Sequence, residues 1–157
     1  MIDVNNIPPA IIEFVTESNR IESIYTTTEA ELEAHVNLLN LPTLWLGDIE
    51  AFVAIVAGER IRNRFGMDVR VGRSVPRPGG VEVVTELREI LASVNSSLNS
   101  PYENHLRYEK LHPFMDGNGR SGRAIWLWQM LKEGKDDPFQ YPFLQWFYYQ
   151  SLEHYSK

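Results

Sequence analysis

The sequence contains no cysteine, and this absence excludes several kinds of chemistry. Without thiols the chain has no disulfide, no thiolate metal site and no cysteine nucleophile. A cysteine-free chain fits a reducing compartment, so we expect a cytoplasmic protein. The first residues also lack the basic stretch and apolar core of a secretory signal peptide, which favours the same expectation.

Long apolar runs and an excess of positive charge are also missing. The longest apolar run, from Ala51 to Ala57, is far shorter than the roughly 20 residues that cross a bilayer, so we expect no membrane partner. Lys and Arg number 15 against 21 Asp and Glu, a formal net charge of −6 that argues against nucleic-acid binding. Neither a P-loop nor a dinucleotide-binding glycine motif occurs. We expect one domain over residues 1–157.

The most informative stretch runs from His112 to Arg123 and reads HPFMDGNGRSGR. Pro113 should end the preceding helix, and the sequence becomes helical again from about Gly119. Backbone N–H groups of the intervening loop and of the next helix's first turn would then point the same way. Such a loop at the positive end of a helix dipole is a site for phosphate oxygens.

The side chains of this stretch suit phosphate transfer. Arg120 and Arg123 share one helix face, where two guanidinium groups suit a polyphosphate. Asp116 is the natural ligand for Mg²⁺, which usually takes one or two carboxylates plus substrate phosphates. His112 can accept a proton near neutral pH. Together these residues predict a phosphate-transfer site with its own base.

A calcium loop is the competing interpretation of the Asp-Gly-Asn-Gly run. Counted from Asp116, the fifth position is Arg120 and the twelfth is Leu127. A cation therefore stands at a ligand position and the closing Glu is missing, so the calcium interpretation is disfavoured.

The stretch resembles the signature of the Fic (Fido) family, H-x-F-x-[DE]-G-N-G-R-x-x-R, at every defined position. The resemblance implies an enzyme that moves AMP from ATP to a Ser, Thr or Tyr hydroxyl of a target protein, with Mg²⁺ as cofactor. It implies that His112 deprotonates the hydroxyl, that Phe114 anchors the loop in the core and that Asp116 binds Mg²⁺. The residues implied to hold the nucleotide are Gly117, Asn118, Gly119, Arg120 for the β-phosphate and Arg123 for the γ-phosphate.

An N-terminal helix is predicted over about residues 9–24 from two prolines at its start and apolar residues at helical spacing. Within it, Ser18 and Glu22 take the first and fifth positions of [ST]-x-x-x-E-[GN], which resembles the inhibitory helix of many Fic proteins. Ser23 stands where Gly or Asn is usual. The resemblance implies that Glu22 pairs with Arg123 and denies that arginine to the γ-phosphate. A solvent-facing Glu22 is the alternative.

The remaining pattern predicts an all-α domain with one short β-hairpin. Capping patterns predict helices that begin after Thr28 and after Ser100. A third, buried central helix is predicted from an N-cap at Asp48 to about residues 65–66, and another after the break at residues 78–80. A last aromatic segment after residue 138 predicts a core cap or an interface.

The hairpin is predicted over about residues 67–78, where valines alternate with Arg70 and Arg73. The resemblance implies that it is a flap, which aligns the target segment by main-chain pairing. An inert ribbon whose arginines keep its edge soluble is the alternative.

Other functions stay open on the sequence. One is a Fic-type enzyme with another donor or direction, such as UMP transfer, phosphocholine transfer or AMP removal. Another is a nucleotide-binding regulatory module without turnover, and the last is a helical scaffold whose aromatic segment binds a partner. A phosphate-transferring branch of the family carries Ala-Asn-Lys at positions 117–119 and is therefore disfavoured.

Overall fold

Six α-helices form the described part of the chain, which in this computed structural model is residues 1–139. No β-strand occurs among these residues, so the predicted all-α fold is confirmed. No helix in this range is both long and apolar enough to cross a membrane. Most of the predicted aromatic segment lies outside the described residues. The helices are α1 Pro9–Ile21, α2 Glu29–Leu39, α3 Leu46–Ala57, α4 Val81–Ser96, α5 Pro101–Leu111 and α6 Asn118–Glu133.

Capping boxes set two helix starts as predicted. At α2 the Thr28 hydroxyl accepts from the Glu31 N–H at 3.2 Å, and the Glu31 carboxylate accepts from the Thr28 N–H at 2.9 Å. Ser100 and Glu103 repeat this arrangement at α5, where Pro101 takes the first helical position. Each box satisfies two backbone donors that a helix start leaves unpaired.

Both predicted ends of α3 were wrong. The helix begins at Leu46 rather than after Asp48, whose carboxylate instead accepts from the Trp45 N–H at 2.8 Å from inside the first turn. It ends at Ala57 because Gly58 adopts φ 66°, a left-handed conformation that terminates a helix. Ile61, expected on this helix, forms an isolated antiparallel bridge with Phe114.

Helix α6, rather than α3, is the central helix, since it contacts each of the other five described helices. Helices α2, α3, α4, α5 and α6 all contribute to the main core, which includes Phe52, Leu87 and Trp128. A second, smaller apolar cluster joins α1 to α6 through Phe14, Trp126 and three neighbours. Helix α1 is therefore attached to the signature helix by its own packing.

The hairpin predicted over residues 67–78, a segment called the flap below, is reduced to a single bridge. Val71 and Ser74 exchange two backbone hydrogen bonds of 2.9 Å, and no further bridge extends the pair among the described residues. The next hydrogen-bonded pair would need an N–H at position 76, and Pro76 has none. The proline therefore limits the flap to one bridge.

Candidate active site

The signature loop leaves α5 at His112, which has left-handed backbone angles of φ 52° and ψ 62°. Its N–H donates to the Tyr108 carbonyl at 2.9 Å, and Pro113 follows it. His112 is half-buried and lines a cleft of about 280 Å³ together with Asp116, Gly119 and Arg120. The turn at the helix end thus directs the chain from α5 into the cleft wall.

Phe114 and Asn118 close the loop on itself. Phe114 is fully buried, as its implied anchoring role requires. The Asn118 amide accepts from the Phe114 N–H at 2.8 Å and donates to the Phe114 carbonyl at 2.9 Å. Both polar ends of this side chain are used in the loop. The Asn118 side chain therefore holds the two ends of the loop together.

The segment after α3 holds the same loop from outside. The Arg62 N–H donates to the Pro113 carbonyl at 2.9 Å, and the Met115 N–H donates to the Arg60 carbonyl at 3.2 Å. These two bonds flank the Ile61–Phe114 bridge. The loop is therefore fixed on both sides by backbone contacts.

The start of α6 contributes backbone N–H donors to the cleft lining. Gly117 adopts φ 82°, and a Cβ there would lie 2.8 Å from the Ala57 Cβ, so the position requires glycine. The N–H groups of residues 118–120 follow it and have no acceptor within the helix, as in every first turn. These residues line the cleft, where the helix dipole favours negative charge.

Asp116 is exposed at the mouth of the cleft, and one of its carboxylate oxygens accepts from the Gly117 N–H at 2.8 Å. Among residues 1–139 no group of three or more His, Cys, Asp or Glu side chains could enclose a metal ion. A single carboxylate beside a phosphate site still fits Mg²⁺, because this ion keeps water and substrate phosphates as most of its ligands. The donor set therefore suits Mg²⁺ bound together with a nucleotide.

The two signature arginines are buried in different environments. Arg120 donates from Nη1 to the Val56 carbonyl at 2.6 Å, at the end of α3. Arg123 donates from Nε to the Ser18 hydroxyl at 2.8 Å and from Nη2 to the Ser18 carbonyl at 2.9 Å. Nη2 also forms an ion pair of 2.8 Å with Glu22. Ser18 and Glu22 thus both contact Arg123.

The ion pair lies directly over Gly119. A Cβ at Gly119 would overlap Oε1 of Glu22 and would lie 2.9 Å from Nη1 of Arg123. Glu22 also belongs to the cleft lining. The structure therefore brings Ser18 of α1 and Glu22, which follows its last residue, together with residues 119 and 123 of α6, about 100 positions away.

The end of α1 explains the residue type that the inhibitory pattern favours after the glutamate. Ser23 adopts φ 60°; its N–H donates to the Arg20 carbonyl, and the Ile24 N–H donates to the Asn19 carbonyl. These two bonds form a Schellman motif, whose left-handed residue is usually Gly and sometimes Asn. Ser23 adopts the same conformation at a higher conformational cost.

An ionisable pair behind Arg123 was missed in the sequence; its His105 is buried, and its Glu109 is 27 % exposed. Burial raises the pKa of Glu109 to about 7, opposed by Arg123 and reinforced by Glu22. Burial lowers the pKa of His105 to about 3, so that histidine is neutral, and its ring lies 3.8 Å from the Glu109 carboxylate. Both pack against Gly122 of α6. Their spacing of four residues on α5 was the available signal, but it does not reveal burial.

Arg62 was also missed. Its side chain is fully buried and donates to backbone carbonyls at the end of α5 and at both ends of the flap. In the sequence it is one of several arginines in a basic segment, with no local feature that distinguishes it.

The described helices form an all-α domain in which the signature loop leads into the start of α6, a geometry that suits an anion. Residues 56–130 match the model of the Fic/DOC family, over a range that includes the flap and the whole signature. Comparison with curated proteins gives no significant match. This match supports a Fic domain over these residues, and members of that family are typically nucleotidyl or phosphoryl transferases. Helix α1, with Ser18 and Glu22, lies outside the matched range.

Proposed function

We propose that the protein is a Mg²⁺-dependent protein adenylyltransferase that α1 holds inactive. The observation that carries this proposal is the Glu22–Arg123 ion pair of 2.8 Å beside the anion-binding start of α6. A carboxylate there takes the guanidinium donors that a phosphate group would use. The function named is transfer of AMP from ATP to a Ser, Thr or Tyr hydroxyl of a target protein.

In the proposed reaction His112 is the general base. The target hydroxyl loses its proton to the imidazole while its oxygen attacks the α-phosphorus of ATP. The bond from that phosphorus to the bridging oxygen breaks, and pyrophosphate leaves. Most of the rate would come from positioning and charge stabilisation by the loop N–H groups and arginines, with about 10²–10⁴-fold from the base.

Asp116 would hold the metal in this scheme. When bound, Mg²⁺ supplies neutralisation of the negative charge on the α- and β-phosphates. Arg120 would contact the β-phosphate, and Arg123 would contact the γ-phosphate once it is released. In the inhibited state Arg123 has Glu22 and Ser18 as partners, which leaves the γ-phosphate without its arginine.

The test is self-modification of a Glu22→Gly variant with ATP labelled in the α-phosphate and Mg²⁺. We expect a covalent label and the mass of an added adenylate, both well above those of the unaltered protein. Glu17→Ala is the control, since Glu17 lies on α1 but pairs at the surface with Arg20 at 2.8 Å, and alanine keeps the helix intact. Equal labelling of both variants would return Glu22 to a solvent-facing role.

A second experiment tests His112 as the general base and ATP as the nucleotide donor. The double variant Glu22→Gly/His112→Ala should bind ATP in calorimetry with little change but transfer no label; normal labelling would remove the base assignment. Labelled UTP and CDP-choline in parallel distinguish other donors. ATP binding with no transfer from any donor would favour a regulatory module over an enzyme.

A further inference from the structure

Arg62 is a fully buried cation whose side chain is bound by backbone carbonyls. Its Nε donates to the His112 carbonyl at 2.7 Å and its Nη2 to the Leu111 carbonyl at 2.9 Å. Its Nη1 donates to the Arg77 carbonyl at 2.8 Å and to the Met67 carbonyl at 3.2 Å. One guanidinium therefore satisfies four carbonyls that come from three separate segments.

These carbonyls belong to two functional parts of the site. Leu111 and His112 are at the end of α5, where carbonyls lack helical partners and the dipole is negative. Met67 and Arg77 are at the two ends of the flap. The backbone of Arg62 extends the same link, because its carbonyl accepts from the Gly80 N–H at 3.0 Å. The base of the flap and the peptide of His112 thus share one anchor.

We propose that Arg62 is a positioning residue that couples the flap to His112. This inference rests on the proposed function, in which the flap holds the target segment and His112 accepts the proton. His112 has an unfavourable φ of 52°, and the bond from Arg62 fixes its carbonyl in that conformation. A shift at the base of the flap would therefore move the imidazole of His112 as well. Because the flap holds the target segment, the target hydroxyl and its base would stay aligned.

Only arginine suits this position. The guanidinium presents five N–H donors in one rigid plane, which lets a single group reach carbonyls in three directions. A lysine ammonium keeps the charge but concentrates its donors on one nitrogen. Arg62→Lys therefore separates the geometry of the anchor from its charge, and exposed Arg64 in the same segment provides the matched control Arg64→Lys.

The experiment places both substitutions in the Glu22→Gly protein. For Arg62→Lys we expect self-labelling at saturating ATP to fall roughly tenfold to a hundredfold, as for a misplaced catalytic group. The ATP dissociation constant should stay within about threefold. Amide exchange in the flap should accelerate, and the His112 imidazole resonance, assigned with His112→Gln, should shift. Arg64→Lys should change none of these, and an unchanged labelling rate in folded Arg62→Lys would overturn the proposal.

A variant at the flap end tests the coupling from the other side and covers a failure of Arg62→Lys to fold. A Cβ at Gly79 would lie 2.5 Å from the carbonyl oxygens of Arg64 and Met67, so Gly79→Ala must displace the base of the flap. We expect the His112 resonance to shift in this variant, and faster flap exchange with an unmoved His112 resonance would show that the two parts are independent. These spectra need no transfer activity, so they decide the coupling even if adenylyl transfer itself fails.

Discussion

At the scale of single residues, Ser23 holds a conformation that a glycine adopts more easily. A left-handed residue other than Gly costs about 1–2 kcal/mol, of which the greater freedom of glycine in the unfolded chain cancels a part. Ser23→Gly should therefore raise the melting temperature by about 1–4 °C and lower basal self-labelling, because it stabilises the end of α1 that carries Glu22. Differential scanning fluorimetry and the labelling assay measure the two effects.

Ser97 provides the control for this prediction. It has φ 54° after α4, away from the cleft. Ser97→Gly should raise the melting temperature by a similar amount and leave labelling unchanged. A stabilised Ser23→Gly protein with unchanged labelling would contradict a link between this helix end and inhibition.

Two buried histidines and the partly buried Glu109 predict how stability depends on pH. Burial lowers the pKa of His35 to about 4 and that of His105 to about 3, against an ordinary value of 6.5. Below pH 6.5 the unfolded chain binds protons that the folded protein does not, so stability falls as pH falls. The raised pKa of Glu109, about 7 against 4.5, acts in the opposite direction, because the folded protein keeps a proton that the unfolded chain has lost.

In the Glu109→Gln variant, stability should therefore fall more steeply as the pH is lowered. Between about pH 6.5 and 4.5 the unaltered protein has one carboxyl that offsets part of the effect of the two histidines, and the variant has none. Melting temperatures measured across this range test the slope, with exposed Glu33→Gln as control. A shallower slope in Glu109→Gln would mean that the Glu109 carboxyl is ionised in the folded protein throughout.

At the scale of elements, the sequence predicted those features that local chemistry determines. The capping pairs at Thr28 and Ser100 satisfy helix donors within three residues, so their pattern is sufficient to place the helix starts. The end of α3 was overestimated because the apolar spacing continues to Ile61, which packs as a bridge to Phe114 instead. That bridge joins residues 53 positions apart, and periodicity contains no information about it.

The same distinction applies to the site. The signature placed the loop, the α6 start and both arginines, because these residues are neighbours in the chain. The prediction that Glu22 contacts Arg123 rested on family resemblance, since nothing in the sequence of α1 indicates which helix it packs against. Arg62 could not be found in either way, because its partners lie in segments up to 50 residues away and are backbone carbonyls rather than side chains of complementary charge.

Loss of the packing between α1 and α6 should release α1 without unfolding the main core. Phe14 is 2 % exposed and lies in the small cluster that joins α1 to α6, separate from the main core. Phe14→Ala removes packing worth about 3–5 kcal/mol, which is a large part of what holds a helix of this size in place. We expect amides of α1 to lose protection in hydrogen exchange, amides of α3 and α6 to keep theirs, and basal self-labelling to rise.

The control for detachment is Ile12→Ala on the same helix, since the Ile12 side chain is 40 % exposed. Both substitutions shorten an apolar side chain, but only Phe14→Ala opens the small cluster. Loss of protection throughout α3 and α6 in Phe14→Ala would show that α1 and the core unfold as one unit.

At the scale of the whole molecule, positive charge is concentrated beside the cleft. Residues 60–77 contain six arginines and one acidic residue, a net charge of +5 in a chain of −6, which leaves −11 elsewhere. Arg60, Arg64, Arg70 and Arg73 are exposed, and Arg70 lines the cleft. Within the described residues, Arg77 is the arginine of this segment that forms an ion pair, with Glu86 at 2.7 Å. The flap therefore presents positive charge where the proposed target segment would bind.

A target whose hydroxyl is flanked by Asp or Glu should therefore be modified with a higher kcat/KM than one flanked by Lys. The preference should weaken between 0.1 M and 1 M salt, because the screening length falls from about 10 Å to about 3 Å. Two peptides that differ only in these flanking residues, assayed with the Glu22→Gly protein, measure the preference. Reversal of the flap charge in Arg70→Glu/Arg73→Glu should invert it, since like charges then face the acidic peptide.

The double variant Arg88→Glu/Lys135→Glu makes the same change in net charge at exposed positions outside the flap. If long-range attraction by the whole molecule set the preference, both double variants would alter it equally. If contact at the flap sets it, only Arg70→Glu/Arg73→Glu inverts the order of the two peptides. Equal rates for both peptides at low salt would instead show that the arginines serve only to keep the edge of the flap soluble.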